Sequence, residues 1–331
     1  MAKKKSMKLY PWLRQTYKNI IYQYKKKTAH HAILIKTQKG LGTSELIWFI
    51  SKWLLCLKRI DIYFCNQCHG CTLMNAHNHP DWHNFKNEKN EKLQVDDVRK
   101  INNKIFKSAQ QGGPKIIFLE NIKNLTEPAM NAFLKTLEEP PKNTWFLIIN
   151  YHSLDIFATL HSRCVLYKVF TPTEKDSLQW LNNNQINNDA LYLTALRINA
   201  GSPISSKKFL DGTLWMERIK FYQHFIKAFK KKDLLELLKI LNTTNTHTKI
   251  NWICSLLLDA IKFHYTQDQY LINLDQLEII KFLSKNYTND VLDISIRNWM
   301  QCRYRLLNIS GINYELLMAE QLLRWETILH F

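Results

Sequence analysis

Ala32-Ile33-Leu34-Ile35-Lys36-Thr37-Gln38-Lys39-Gly40-Leu41-Gly42-Thr43-Ser44 is the stretch that decides the fold. It opens with four apolar residues and no polar alternation, the pattern of a strand buried on both faces. The glycines at 40 and 42 then supply a turn. Ser44 to Leu57 continues as a helix with a wide apolar face. Strand, glycine turn and helix in that order form the opening unit of an α/β nucleotide-binding domain. A working phosphate loop reads GxxxxGK[ST]: backbone N–H groups cradle the phosphates, the lysine neutralises the β/γ oxygens and the hydroxyl residue holds Mg²⁺. In the same window here the first glycine is Thr37 and the lysine is Thr43, while Gly40, Gly42 and Ser44 remain. A neutral threonine cannot offset a triphosphate, and Lys39 lies on the wrong side of the turn to replace the lysine. A retained shape without functional ATP binding or hydrolysis is expected.

Outward from this unit the pattern repeats. Lys115 to Leu119 reads as a second buried strand and Trp145 to Ile149 and Val165 to Val169 as a third and fourth strand, with helices at Val95–Ser108, Glu127–Leu137 and Leu154–Leu160. Pro140-Pro141 stops the second of these helices. Residues 7–28, with Leu9, Leu13, Tyr17, Ile20 and Ile21 at helical spacing, precede the first strand. Alternating strands and helices imply a parallel sheet covered on both faces. Residues 58–95 break the rhythm and read as an insertion plus a loop. After Pro172 the strand signals stop: 173–211 form a small helical unit, and 214–331 are helical throughout. An active nucleotide site ends its second strand in Asp-Glu, for the metal and the water. This chain has Glu120-Asn121; Glu120 can still hold a cation, but Asn121 cannot act as a base.

The chain has 331 residues, a net charge of +18 and only eight glycines and eight prolines. A basic protein attracts polyanions, so nucleic acid is the natural partner; AT-rich codons, which favour Lys, Asn and Ile, give the same excess. Met1-Ala2-Lys3-Lys4-Lys5 leads into no long apolar core, and the apolar stretch Leu46–Leu57 is too short to span a bilayer. A soluble cytoplasmic protein with no membrane contact is expected. Of seven cysteines, Cys56, Cys65, Cys68 and Cys71 cluster. Cys-x₂-Cys-x₂-Cys with a fourth thiol upstream suits a tetrahedral Zn²⁺ with no open position, a structural site. Free buried thiols are the alternative, and His69, His77, His79 and His83 are substitute ligands, His69 foremost. Trp215, Trp252, Phe263, Tyr265, Trp299 and Trp325 read as helical core rather than as a platform for single-stranded DNA.

The run Asn131-Ala132-Phe133-Leu134-Lys135-Thr136-Leu137-Glu138-Glu139-Pro140-Pro141, then Phe146–Asn150, then Ser162-Arg163-Cys164, resembles clamp-loader ATPases of the AAA+ family. The likeness covers roughly 30–170, and more weakly Ala200-Gly201-Ser202-Pro203 and Gly311–Leu317. Within that family the lost lysine and kept Ser-Arg-Cys resemble the delta-prime type of DNA polymerase III subunit. The resemblance implies that Arg163 is an arginine finger completing a neighbour's ATP site. It also implies that Ile204 replaces a second sensor arginine and Asn150 a threonine sensor, and that a zinc module follows the first helix. The expected architecture is a RecA-like AAA+ α/β domain over 1–170 with the zinc insertion at about 56–80. A helical lid over 171–212 and a helical collar over 213–331 complete it. Implied partners are gamma/tau and delta subunits, the sliding clamp and primed DNA. The chain would share in a holoenzyme with DNA-directed DNA polymerase (nucleotidyltransferase) activity while carrying no intact active site itself. Two rivals remain: a gamma-type ATPase with an unusual phosphate loop, and a zinc-dependent DNA-binding protein.

Overall fold

The computed structural model describes residues 9–85, 92–122, 125–151, 158–182, 189–243, 245–266, 270–309 and 311–330. The basic run Met1–Lys5 lies outside the described residues, as does most of the expected helix at 154–160. The chain divides into two compact units, Met1–Pro172 and Thr173–Phe331.

In the first unit, β1 (Ala32–Lys36), β2 (Trp82–Phe85), β3 (Lys115–Leu119), β4 (Thr144–Asn150) and β5 (Val165–Lys168) form one sheet in the order β2-β3-β4-β1-β5. Every pairing is parallel. This is the parallel α/β arrangement that the alternation of strands and helices implied. Successive side chains on a strand point to opposite faces, and the core divides accordingly. Ile33, Ile35, Ile116, Phe118, Leu147 and Ile149 pack on one face with α1 (Arg14–Lys25) and α2 (Thr43–Leu55). Ala32, Leu34, Ile117, Leu119, Phe146 and Ile148 pack on the other with α4 (Val95–Ile105) and α5 (Glu127–Glu138). Both faces are covered, so β1, β3 and β4 read as unbroken apolar runs. α4 begins where the Gln94 backbone N–H donates to Asp97 Oδ2 at 3.0 Å. α5 ends at Glu138 because Pro140 and Pro141 cannot continue it.

The described residues of the segment 58–95, read as an insertion plus a loop, carry regular structure. They hold α3 (His69–Asn75) and the edge strand β2, Trp-His-Asn-Phe. Four residues at an edge have no need of an apolar run on both faces, so periodicity does not reveal them. What fixes β2 is Asp81. Its buried carboxylate accepts the backbone N–H of Gln110 at 2.7 Å and of Gln111 at 2.9 Å, and its carbonyl accepts Ile116 N–H at 2.9 Å. A short helix, α6 (Ala158–His161), precedes β5.

The second unit is helical: α7 (Glu174–Asn182), α8 (Asp189–Ile198), α9 (Pro203–Asp211), α10 (Thr213–Lys231), α11 (Leu238–Leu241), α12 (Thr246–Thr266), α13 (Leu277–Asn286), α14 (Asn289–Asn308) and α15 (Tyr314–Leu329). Trp252, Trp299 and Trp325 are fully buried in its core, as expected, whereas Tyr265 is exposed. A polar network pins its centre. Buried Arg218 donates to Tyr222 Oη (3.0 Å), Asn273 Oδ1 (2.7 Å) and Asp275 Oδ1 (2.9 Å). Among the described residues no helix is long and apolar enough to cross a membrane.

Truncating Asp81 to alanine removes the buried acceptor of two charge-assisted hydrogen bonds and leaves the Gln110 and Gln111 N–H groups without it. The expected loss is about 2–4 kcal/mol of unfolding free energy, measured by urea denaturation; a variant as stable as the parent contradicts the role given to Asp81.

Candidate functional site

The phosphate-loop turn sits at the C-terminal end of β1. Gly40 and Gly42 both have positive φ, 80° and 78°, which a side chain would strain, and Gly42 caps the N-terminus of α2. The loop keeps its connection to the sheet through Thr37 N–H, which donates to Asn150 O at 3.0 Å. The two positions that depart from the working motif have found each other. Thr37 Oγ1 and Thr43 Oγ1 lie 3.1 Å apart, and both residues are buried. The hydroxyl at the lysine position therefore turns inward, into a pair with the residue that replaced the first glycine. Ser44 Oγ donates to Glu120 Oε1 at 3.2 Å, so the motif's last hydroxyl and the acid at the end of β3 bind one another directly. Tyr151, also bonded to Ser44, is raised above the usual tyrosine range, mainly by burial. Trp12 Nε1 donates to Leu41 O at 2.9 Å and anchors the turn from the N-terminal side. Lys39 faces the Tyr151 ring, 6.0 Å from its centroid, and not the motif's lysine position.

Arg163 lies between α6 and β5, flanked by exposed Ser162 and buried Cys164. Cys164 belongs to the core on the α5 side of the sheet, and burial pushes its thiol up to about 12. It anchors the motif while Arg163 stays half-buried. The guanidinium is held by its own chain: Nε donates to Glu138 Oε1 at 2.7 Å, and Nη2 also bonds that oxygen. Nη1 donates to Thr159 O at 2.8 Å and to Ser162 Oγ at 2.9 Å. A guanidinium has five N–H donors, so among the described residues one N–H on Nη2 remains for a ligand from outside.

Cys56, Cys65, Cys68 and Cys71 converge, with all four Sγ atoms within 4.8 Å of one another. Cys56 caps the C-terminus of α2, Cys68 caps the N-terminus of α3, and Cys71 lies in the first turn of α3. Three of the sulfur separations are 3.6 Å (56–65), 3.8 Å (56–68) and 4.0 Å (65–71). Tetrahedral metal–sulfur bonds of about 2.3 Å place sulfurs roughly 3.8 Å apart. The spacing thus fits a four-thiolate centre and is far too long for disulfides. Backbone N–H groups of Cys65 and Cys68 point at Cys56 Sγ and Cys65 Sγ, each at 3.3 Å. Burial raises the Cys56 and Cys71 thiols. Burial opposes ionisation of Cys68 too, but N–H groups of Cys71 and Leu57 and neighbouring thiols outweigh it, bringing that thiol to about 6. His69, the foremost substitute ligand, is exposed and outside the cluster. His79 is buried with Nδ1 accepting Asp81 N–H at 3.2 Å, so it supports the module's exit and not the sulfurs.

Two partners were not legible in the sequence. Glu138, the acid against Arg163, lies 25 positions away. Lys52, which looks like a mere break in an apolar helix, is 3% exposed and packed beside the cysteines.

Residues 12–173 match a family model described as DNA polymerase III, delta subunit, and residues 213–327 match one described as DNA polymerase III, delta subunit, C terminal. The chain is 57% identical over 325 residues to the DNA polymerase III subunit delta' of Buchnera aphidicola subsp. Acyrthosiphon pisum (strain APS), covering 98% of this chain and 100% of that one. It is 34% identical to the subunit delta' of Escherichia coli (strain K12), covering 97% of this chain and 96% of that one. A solved structure of a gamma subunit-related protein from Thermotoga maritima aligns with 95% of this chain and 99% of its own, with TM-score 0.47 and 16% identity.

Gly70, between two of the cysteines, has no room for a side chain: a Cβ there would lie 2.4 Å from Leu55 O. Gly70→Ala is expected to cost about 1–3 kcal/mol and to open the module. The readouts are thermal unfolding and the rate at which a thiol reagent labels the four cysteines. A parental labelling rate contradicts the packing described.

Proposed function

The chain belongs to the DNA polymerase III delta-prime subunit family, and from that premise we propose that it serves the clamp loader as a member without ATP chemistry of its own. In this reading it assembles with gamma/tau-type ATPases and a delta-type subunit to load the sliding clamp on primed DNA. It contributes Arg163 in trans to a neighbour's ATP site. The observation that carries the reading is a pairing of opposites: the phosphate turn has its lysine position filled by an inward, hydroxyl-paired Thr43, while Arg163 stays half-buried with one N–H unspent among the described residues.

The chemistry follows from charge. As a γ-phosphoryl group transfers, negative charge spreads over its oxygens, and a fixed guanidinium stabilises it without needing a base. Arg163 suits the task because its planar fork is already oriented by Glu138, Thr159 and Ser162. A polyphosphate then competes with Glu138 for the cation. At this chain's own phosphate turn, Ser44 bonds Glu120 and no lysine stands at position 43 to hold β/γ oxygens. Cys56, Cys65, Cys68 and Cys71 would hold Zn²⁺, which supplies a closed structural crosslink and no reactive position. In the helical unit we assign α7–α9 to a lid, supported by the small cluster of Leu181, Tyr192 and Leu196. The helices from α10 onward are assigned to a collar that joins neighbouring subunits.

Arg163→Ala is expected to leave the assembled loader intact on gel filtration and to slow ATP hydrolysis at the completed site by about 10³-fold or more. This is measured with the sliding clamp and primed DNA present. An unchanged rate in an intact assembly would leave the chain a scaffold, and a dissociated assembly would make Arg163 structural. Elemental analysis of the purified chain is expected to give about one zinc per chain; a metal-free protein with four titratable thiols removes the zinc assignment.

A further inference from the structure

The cation beside the cysteine cluster has no ordinary reason to be there. Lys52 lies on α2 four residues before Cys56, on the same face of the helix. It is 3% exposed. Its ammonium donates to Asn75 Oδ1 at 2.7 Å and to Asn66 Oδ1, from the two ends of the ligand-bearing segment. Asn66 sits in the left-handed region at φ 61°, inside the turn between Cys65 and Cys68. The ring centroids of Phe64 and Trp48 lie 4.4 and 4.8 Å from the ammonium. Among the described residues no carboxylate is paired with Lys52. A buried, unpaired ammonium is costly and normally neutralises or finds an anion. Burial lowers the affinity of this amine for its proton, and the four cysteines oppose that electrostatically. Four thiolates around a dication carry two net negative charges, themselves buried in part.

We propose that Lys52 is the counter-charge of the four-thiolate centre: fixed by Asn66 and Asn75, its ammonium offsets the negative charge of the loaded site and raises its affinity for the metal. The inference rests on the reading of the cluster as a zinc site. It assigns α2, the helix that carries the phosphate turn, a second function as the electrostatic support of the metal module. Lys52 is a positioning residue: it does not touch the ion. The aromatic cage explains why the lysine is tolerated in the stripped protein, and the two asparagines explain why its charge stays at one place.

The test uses the full-length chain, loaded with Zn²⁺ and titrated with a chromophoric chelator, alongside thermal unfolding of loaded and stripped protein. Lys52→Met keeps the volume and suits the aromatic cage. It is expected to lower zinc affinity about 10-fold or more, the usual scale for losing a supporting group around a metal. It should also shrink the gap in Tm between loaded and stripped protein, without lowering the stripped Tm. Lys52→Arg is expected to retain most of the affinity. A purely structural role would lower the stripped Tm and leave zinc affinity unchanged, which overturns the proposal. Asn75→Asp guards against a Lys52→Met chain that fails to fold: its new carboxylate claims the ammonium and is expected to weaken zinc retention as well. Parental affinity in that variant also overturns the proposal. A parental chain that binds no zinc fails the site itself, and is distinguishable from variants that bind as tightly as the parent.

Discussion

β1 is paired on both edges, to β4 and to β5, and buried on both faces, and the chain must leave it at Lys36 through a turn that only glycine geometry permits. Most of the first unit follows from that constraint. The double pairing demands five residues with almost no polarity. The turn points α2 back along the sheet, and α2 in turn delivers Lys52 and Cys56 to the cysteine cluster at its far end. The phosphate turn and the cysteine cluster are therefore the two ends of one helix. This explains why the turn is preserved as a shape when its lysine is gone: losing the turn would displace the module as well.

The turn keeps the shape of the phosphate loop with different side chains in it. Thr37 and Thr43 fill with a hydroxyl pair the space that a glycine and a lysine leave open in a working site, and Ser44 with Glu120 closes the adjoining position. A buried hydroxyl pair is satisfied without solvent or ligand. Arg163 is organised differently. Its neighbour Cys164 is fixed in the core, but the guanidinium is held by a partly exposed carboxylate, an interaction that a stronger anion can displace.

Much of this was legible in the sequence, for identifiable reasons. β1, β3 and β4 could be read because burial on two faces erases polar alternation, and α5 because two prolines end it. That the four cysteines converge could be read from their close Cys-x₂-Cys-x₂-Cys spacing with a fourth thiol upstream. The strand Trp82–Phe85 could not, since an edge strand needs neither length nor two apolar faces; Asp81, which fixes it, binds backbone far along the chain. Arg163 was legible only through its motif, because a lone arginine in a turn carries no signal of its own. Glu138 and Lys52 were invisible for the same reason: what defines each is a partner brought close by the sheet and by α2, not a neighbour in sequence.

Equilibrium binding and turnover of Mg·ATP by the isolated chain tests most directly whether this protein keeps the fold without the chemistry. No turnover is predicted, and substituting Ser44 by alanine should change nothing. Saturable binding with steady hydrolysis, abolished in Ser44→Ala, would contradict that reading and make the chain an ATPase in its own right.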